Sequence, residues 1–159
     1  MANDLRLRPA LATDIPDIID LYVKTVLTIG SADYDDQQLE IWSNLGRDHA
    51  RWERRIASQY FLVAELEGQI AGFGSLTNEN YLDVLYVSKD FQRRGIANLL
   101  FDALLKQAFI NNGAKITADV SKTARAFFER KGFVMINENK NLIGEVVIVN
   151  YRMEWSDRI

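Results

Sequence analysis

The chain reads as an α/β protein of the α+β kind, a sheet with helices packed on it, and three patterns predict this. Apolar residues alternate with a period of two in runs such as Leu5-Arg6-Leu7-Arg8. Elsewhere they recur at three- and four-residue spacing, as in Ile15, Ile18, Ile19, Tyr22, Val23 and Val26. The two kinds of segment take turns along the chain, with turn residues such as Glu67-Gly68 and Asn112-Gly113 between them. At 159 residues, 48% of them hydrophobic, the chain can fill one core comfortably and two only with difficulty, so a single domain over 1–159 is expected.

Leu5 to Arg8 is the first strand. Thr13 or Asp14 then caps a helix that tolerates Pro16 in its first turn, where no N–H bond is lost. A second helical region runs from about Asp36 to Ser58 and breaks near Asn44-Leu45-Gly46. Tyr60 to Glu65 and Gln69 to Leu76, joined at Glu67-Gly68, form an antiparallel hairpin, and Tyr81 to Val87 is a third strand. The helix starting near Arg94 sets Ile96, Leu99, Leu100, Ala103, Leu104 and Ala108 on one stripe and stops around Asn111. Lys115 to Val120 is a strand, Thr123 to Lys131 a helix ended by Gly132, and Phe133 to Trp155 a last pair of strands.

Composition removes several chemistries. Without cysteine there is no disulfide, thiolate metal site or thiol nucleophile. The single histidine, His49, lies among Asp48, Arg51 and Arg54 and reads as a surface residue, so neither a histidine metal cluster nor a Ser-His-Asp triad is expected. A net charge of -3 gives no overall attraction to nucleic acid or anionic membrane, so any anion site must be local. No run approaches the length of a membrane span, and Met1-Ala2-Asn3-Asp4 lacks a basic and apolar signal region, which points to the cytoplasm.

One such local site is visible. A strand that runs through a glycine turn into a helix leaves backbone N–H groups unpaired and aimed one way. Helix starts favour acidic side chains, yet Lys89, Arg93 and Arg94 crowd this one. The arrangement is costly unless an anion sits there, and a diphosphate would complete it; the plainer alternative is a solvated basic turn. No Gly-x-x-x-x-Gly-Lys-Ser/Thr segment exists, and Gly72-Phe73-Gly74 lacks a third glycine, since Thr77 stands at that position, so it reads as hairpin packing.

The segment Gln92-Arg93-Arg94-Gly95-Ile96-Ala97 resembles the signature of the GNAT superfamily of N-acetyltransferases: Gln or Arg, two residues, Gly, one residue, then Gly or Ala, after a strand and at a helix start. Leu82 to Val87 looks like that family's central strand and Ala124 to Phe133 like its later helix and turn. Among branches the chain looks most like the small bacterial acetyltransferases of unassigned substrate. The resemblance implies a GNAT-type mixed, mostly antiparallel sheet with a central parallel strand pair and helices on both faces. It also implies acetyl-CoA as acyl donor, with no metal. Gln92, Arg93, Arg94, Gly95, Ile96 and Ala97 would hold the diphosphate, while Leu85, Tyr86 and Val87 would lie along the pantetheine as if it were an added strand. Ser121 sits where many relatives carry Asn or Ser near the CoA arm, or else it caps the segment that follows. Phe128 falls where many relatives carry a tyrosine that protonates the departing thiolate. It cannot donate a proton, so water, the substrate, or a tyrosine such as Tyr86 or Tyr81 must.

An amine must lose a proton before it attacks a thioester, and the oxyanion then formed needs a donor such as a strand N–H near Leu85. Asp83, in an otherwise apolar strand, is the leading base and Asp119 the second. If both face one cleft, their proximity would raise one pKa; alternatively each merely anchors a turn or an arginine. Tyr22, Tyr34, Trp42, Trp52 and Tyr151 are the large side chains on the acceptor side, with Trp42 the choice for a substrate wall. The expected function is acetyl transfer from acetyl-CoA to a primary amine of a small molecule or peptide. The alternatives are a CoA-binding regulatory module and an interaction domain whose Arg93 and Arg94 meet a partner. A homodimer is compatible with the sequence.

Overall fold

Period-two alternation in the Tyr60–Leu66 strand sends Phe61 and Val63 to one face and Leu62 and Ala64 to the other, and each face is buried under helices. The computed structural model describes residues 4–157, Asn112 and Ala114 excepted. Its strands are β1 (Leu5–Pro9), β2 (Tyr60–Leu66), β3 (Gln69–Leu76), β4 (Tyr81–Val87), β5 (Lys115–Ser121), β6 (Val134–Ile143) and β7 (Val146–Ser156). They form one sheet in the order β1-β2-β3-β4-β5-β7-β6. Every neighbouring pair is antiparallel except β4 and β5, which run parallel. The helices are α1 (Ile15–Ile29), α2 (Asp36–Leu45), α3 (His49–Ser58), α4 (Ile96–Ile110) and α5 (Arg125–Arg130).

One face carries α1, α2 and α3, whose Ile15, Ile18, Tyr22, Val26, Leu39 and Trp52 pack with Phe61, Val63, Phe73 and Val84. The opposite face carries α4 and α5: Ile96 and Leu100 lie on Leu62, Ala64 and Ala71, and Phe101, Leu104 and Phe128 lie on Ile116, Ala118 and Val120. The mixed sheet with helices on both faces is the architecture that the sequence resemblance implied.

Differences from expectation have local causes. Asp14 stands at the start of α1 but does not cap it with its side chain. Its carboxylate instead takes both terminal nitrogens of Arg8, at 2.8 and 2.9 Å, and the Leu11 N–H at 2.7 Å. The ion pair fixes β1 to the first helix, and the charged hydrogen bonds from Arg8 hold the Asp14 carboxyl below the usual carboxylate range. Asp35 does cap α2, accepting from Gln38 N–H at 2.8 Å, and Asp48 caps α3 after the break at Gly46. α4 begins at Ile96, because Gly95 takes a left-handed φ of 79° that no helix can contain. Leu99 turns outward, while Phe101 joins the buried face. The helix stops at Asn111 as expected; Asn112 of the expected turn lies outside the described residues, as does the Met1–Asn3 start. α5 is shorter than expected because Ser121 ties the Ala124 N–H, and Gly132, at φ 97°, ends the segment. Among the described residues no helix is long and apolar enough to cross a membrane.

Candidate active site

The parallel pairing of β4 with β5 covers only Tyr81 with Thr117 and Leu82 with Ala118. Beyond this the strands part. Leu76 pairs with Leu82 and Ser75 with Val84, so Asp83 is an extra residue on β4, a bulge that bends its strand and re-aims its side chain. The gap opens into a cleft of about 690 Å³ lined by residues of α1 to α3, the diverging halves of β4 and β5, α5 and the β6–β7 hairpin. That volume suits a small ligand.

Along β4 the ladder decides which N–H groups face the gap. Ser88 N–H donates to Ala71 O at 2.8 Å, on the β3 side. Alternation therefore turns the Tyr86 and Val84 amides toward β3 and those of Leu85 and Val87 toward the cleft edge that β5 has left. At the end of β4 the Gln92 side chain donates from Nε2 to Val87 O at 2.8 Å and to Ser88 O at 3.2 Å, which pins the turn to the strand. Arg93 and Gly95 both have positive φ, 63° and 79°, and among the described residues the N–H groups of Gly95, Ile96 and Ala97 donate to no protein acceptor. The first turn of α4 contains no acidic residue. Arg94 lies over the Phe91 ring at 5.7 Å. The helix start is thus an open set of donors among cations, with positive φ at two of its residues.

Both expected carboxylates line the cleft, in different states. Asp83 Oδ2 accepts from Arg55 Nε and from Gln59 Nε2, each at 2.9 Å, while Oδ1 accepts no hydrogen bond among the described residues. Asp119 is fully engaged. Arg152 holds both its oxygens, at 2.8 and 3.0 Å, the Tyr81 hydroxyl donates at 2.7 Å, and Asn139 Nδ2 donates at 2.8 Å. Burial would push the Asp119 pKa up, but these hydrogen bonds together outweigh it and hold the group below the usual carboxylate range. The expected rise of a pKa in this pair is therefore not seen at Asp119, whose surroundings are donors. Burial and the bond to Asp119 push the Tyr81 hydroxyl up.

Tyr86 lies in the cleft wall, packed edge-on against Tyr22 at 5.0 Å and tilted against Phe73 at 5.6 Å. Burial pushes its pKa up to about 12, with the Arg55 charge as the largest opposing influence, so the hydroxyl stays protonated at neutral pH. Phe128 lines the cleft and is otherwise packed against Phe127 and Phe133. Ser121 lines it too, and its Oγ accepts from Ala124 N–H at 3.1 Å, so it is a cap with a face on the cleft.

Of the aromatic residues expected on the acceptor side, Tyr22, Tyr34 and Trp42 line the cleft. Trp52 is completely buried beneath them and donates to Gly46 O at 2.8 Å. Tyr151 instead carries Arg125 over its ring at 4.7 Å. His49 is on the surface beside Glu53. Residue-by-residue reading missed Arg51, Arg55 and Gln59 on or beside α3, and Asn139, Lys140, Asn141, Asn150 and Arg152 on the hairpin. The usable signals were the basic run Arg51–Arg55 on one helix and asparagines at 137, 139 and 141, whose period of two gives a strand one polar face.

Comparison with known proteins agrees with this geometry. A sequence model of the acetyltransferase (GNAT) domain matches residues 31–155. The chain is 30% identical over 153 residues to the uncharacterized N-acetyltransferase YafP of Escherichia coli, covering 96% of this chain and 97% of that protein. A GCN5-related N-acetyltransferase structure from Rhodopseudomonas palustris superposes with a TM-score of 0.91 at 31% identity, covering 98% of each chain. The PaiA N-acetyltransferase of Thermoplasma acidophilum, solved with coenzyme A, shares the fold at a TM-score of 0.82 and 16% identity, over 99% of this chain and 100% of that one. A domain match over most of the length, a full-length relative, and a central strand pair that parts beside a donor-rich helix start converge: the chain belongs to the GNAT family and is an N-acetyltransferase.

Proposed function

We propose that residues 1–159 act as one domain that transfers acetyl from acetyl-CoA to a primary amine of a small molecule or peptide. The observation that carries this is the parting of β4 from β5, which joins a donor-lined strand edge to a cleft lined by Asp83, Asp119 and Tyr86. The amides of Gly95, Ile96 and Ala97, with Gln92 shaping the turn and Arg93 and Arg94 adding charge, fit a diphosphate. The amides of Leu85 and Val87 fit an extended amide chain laid along the strand. When bound there, acetyl-CoA supplies the thioester carbonyl as electrophile.

The chain's own residues do the rest. Asp83 Oδ1 takes the proton from the incoming ammonium, directly or through water, while Arg55 and Gln59 hold the other oxygen still. An amide on the free edge of β4 near Leu85 faces the developing negative charge. Tyr86 keeps its proton at working pH and hands it to the sulfur as the C–S bond breaks, the role that Phe128 cannot fill, and the proton that the newly acylated nitrogen sheds restores the phenol. Asp119, bound on both oxygens, positions Tyr81 and the hairpin. Phe128 itself favours a second reading, a CoA-binding regulatory module with little or no turnover.

Calorimetry with acetyl-CoA and thiol release against an amine panel separate these. The enzyme reading expects micromolar-range binding and amine-dependent release that drops in Asp83→Asn. Binding with slow release that Asp83→Asn leaves unchanged identifies the module, and absence of acetyl-CoA binding sinks both.

A further inference from the structure

The cleft wall carries more positive than negative charge, although the chain as a whole has a net charge of -3. Its carboxylates, Asp83 and Asp119, are each already matched by an arginine, Arg55 at 2.9 Å and Arg152 at 2.8 Å. Two further cations line the same cleft, Arg51 from α3 and Lys140 from β6. Among the described residues neither makes an ion pair, and Arg51, a residue of intermediate exposure, has only one side-chain hydrogen bond, a long and exposed one to Leu45 O at 3.4 Å. They lie on elements other than the turn and helix start that fit the diphosphate, so they are not needed there. Two cations without ion-pair partners on the wall of one cleft give it a local charge that matches an anionic group on the ligand.

We propose that the acceptor amine carries a carboxylate, so that the substrate class is amino acids or related amino carboxylates, with Arg51 and Lys140 as the subsite for the anionic end. This rests on the acetyltransferase reading above and adds the acceptor to it. Asp83 then receives the ammonium end, and the two ends of a zwitterion meet opposite charges. A purely cationic amine such as a polyamine would place its second charge against these cations.

The test uses pairs that differ only by the carboxylate: leucine with isoamylamine, and ω-aminovalerate with butylamine. Thiol release from acetyl-CoA gives kcat/KM for each. The carboxylate member of at least one pair should be favoured by about 10-fold or more, the worth of one charge-assisted contact. That ratio should fall toward one in Arg51→Ala and in Lys140→Ala. The second variant changes an exposed side chain and guards against misfolding of the first. Isoamylamine and butylamine preferred over their acids, or a ratio that both variants leave intact, overturns the inference while leaving the acetyltransferase reading standing. If no member is turned over but calorimetry shows acetyl-CoA binding, thermal shifts in the presence of CoA decide. Stabilisation by leucine or aminovalerate over its partner, lost in both variants, supports the subsite, and equal shifts overturn it. Failure to bind acetyl-CoA marks the failure of the underlying reading and overturns the inference with it.

Discussion

Arg55 holds Asp83 through a single oxygen: Nε meets Oδ2 at 2.9 Å, and the guanidinium rests on the face of the buried Trp52 at 4.7 Å. The arginine is thus fixed by a core aromatic on one side and a carboxylate on the other. The carboxylate in turn sits on a strand bulge. This chain of contacts couples the hydrophobic core to the group proposed to take the amine's proton.

Asp83→Asn keeps the side-chain shape and a carbonyl for Arg55 but removes the basic oxygen. Amine-dependent kcat is expected to fall about 100-fold or more, the usual scale for losing a general base. The dissociation constant of acetyl-CoA should change by less than about threefold, because Asp83 lies away from the helix start. Calorimetry and steady-state thiol release, run on one preparation, check both halves.

Tyr86→Phe removes one hydroxyl and leaves the ring against Tyr22 and Phe73. Expected is a loss of about 100-fold in kcat with acetyl-CoA affinity nearly intact. The pH profile adds a sharper check. With the Tyr86 pKa at about 12, deprotonation of this donor cannot produce a falling limb in the ordinary alkaline range. The kcat of the native protein should therefore stay level up to about pH 10. A limb centred near pH 8 that disappears in Tyr86→Phe is incompatible with this assignment.

The parts legible in sequence are those decided by neighbours along the chain. The α4 stripe, the Glu67-Gly68 turn and the Gln92–Ala97 segment depend on contacts within a few residues, and each formed close to where periodicity and turn chemistry put it. What escaped was set by distant partners. Asp83 meets Arg55 and Gln59 across 28 and 24 positions, and Asp119 meets Arg152 across 33. No local pattern encodes those pairings. Asp14 shows the same rule inside a helix signal: its position suits a cap, but Arg8 offered a stronger partner. The bulge at Asp83, and with it the opening of the cleft, depends on how β3 pairs with β4, which the alternation of either strand alone cannot reveal.

Acid should destabilise the fold through Asp119 and Asp14. Each has a folded pKa below its ordinary value of 3.8. Between the folded and unfolded values the unfolded chain binds more protons, so stability falls as pH drops. The contribution is complete above the unfolded value and lost as pH falls through the folded one. Asp119→Asn, which leaves Arg152 without its carboxylate, should melt lower than the native protein at neutral pH. The gap should narrow as both are titrated below about pH 4. Calorimetric Tm measured across that range checks the direction, and a gap that widens in acid contradicts the pairing.

Gly95→Ala isolates the helix start. A Cβ built there meets nothing within 4 Å, so the substitution adds no clash with the folded chain. What it adds is strain, because φ is 79° and an L residue in that region costs about 1–2 kcal/mol. A loss of stability of about that size is expected in urea melts, provided the turn keeps its shape. If the turn instead relaxes to negative φ, stability recovers but the amides of Gly95, Ile96 and Ala97 lose their common direction. In the first case the amides keep their direction but a methyl stands where a diphosphate must approach, and in the second the donor set itself is lost. Acetyl-CoA affinity should drop by about 10-fold or more, as expected for losing one or two hydrogen bonds to a charged group. Thiol release at saturating acetyl-CoA should return most of the native kcat, because Asp83 and Tyr86 are untouched. A variant that binds acetyl-CoA as tightly as the native protein would remove the diphosphate from this turn and leave Arg93 and Arg94 without the counter-charge that their place at a helix start requires.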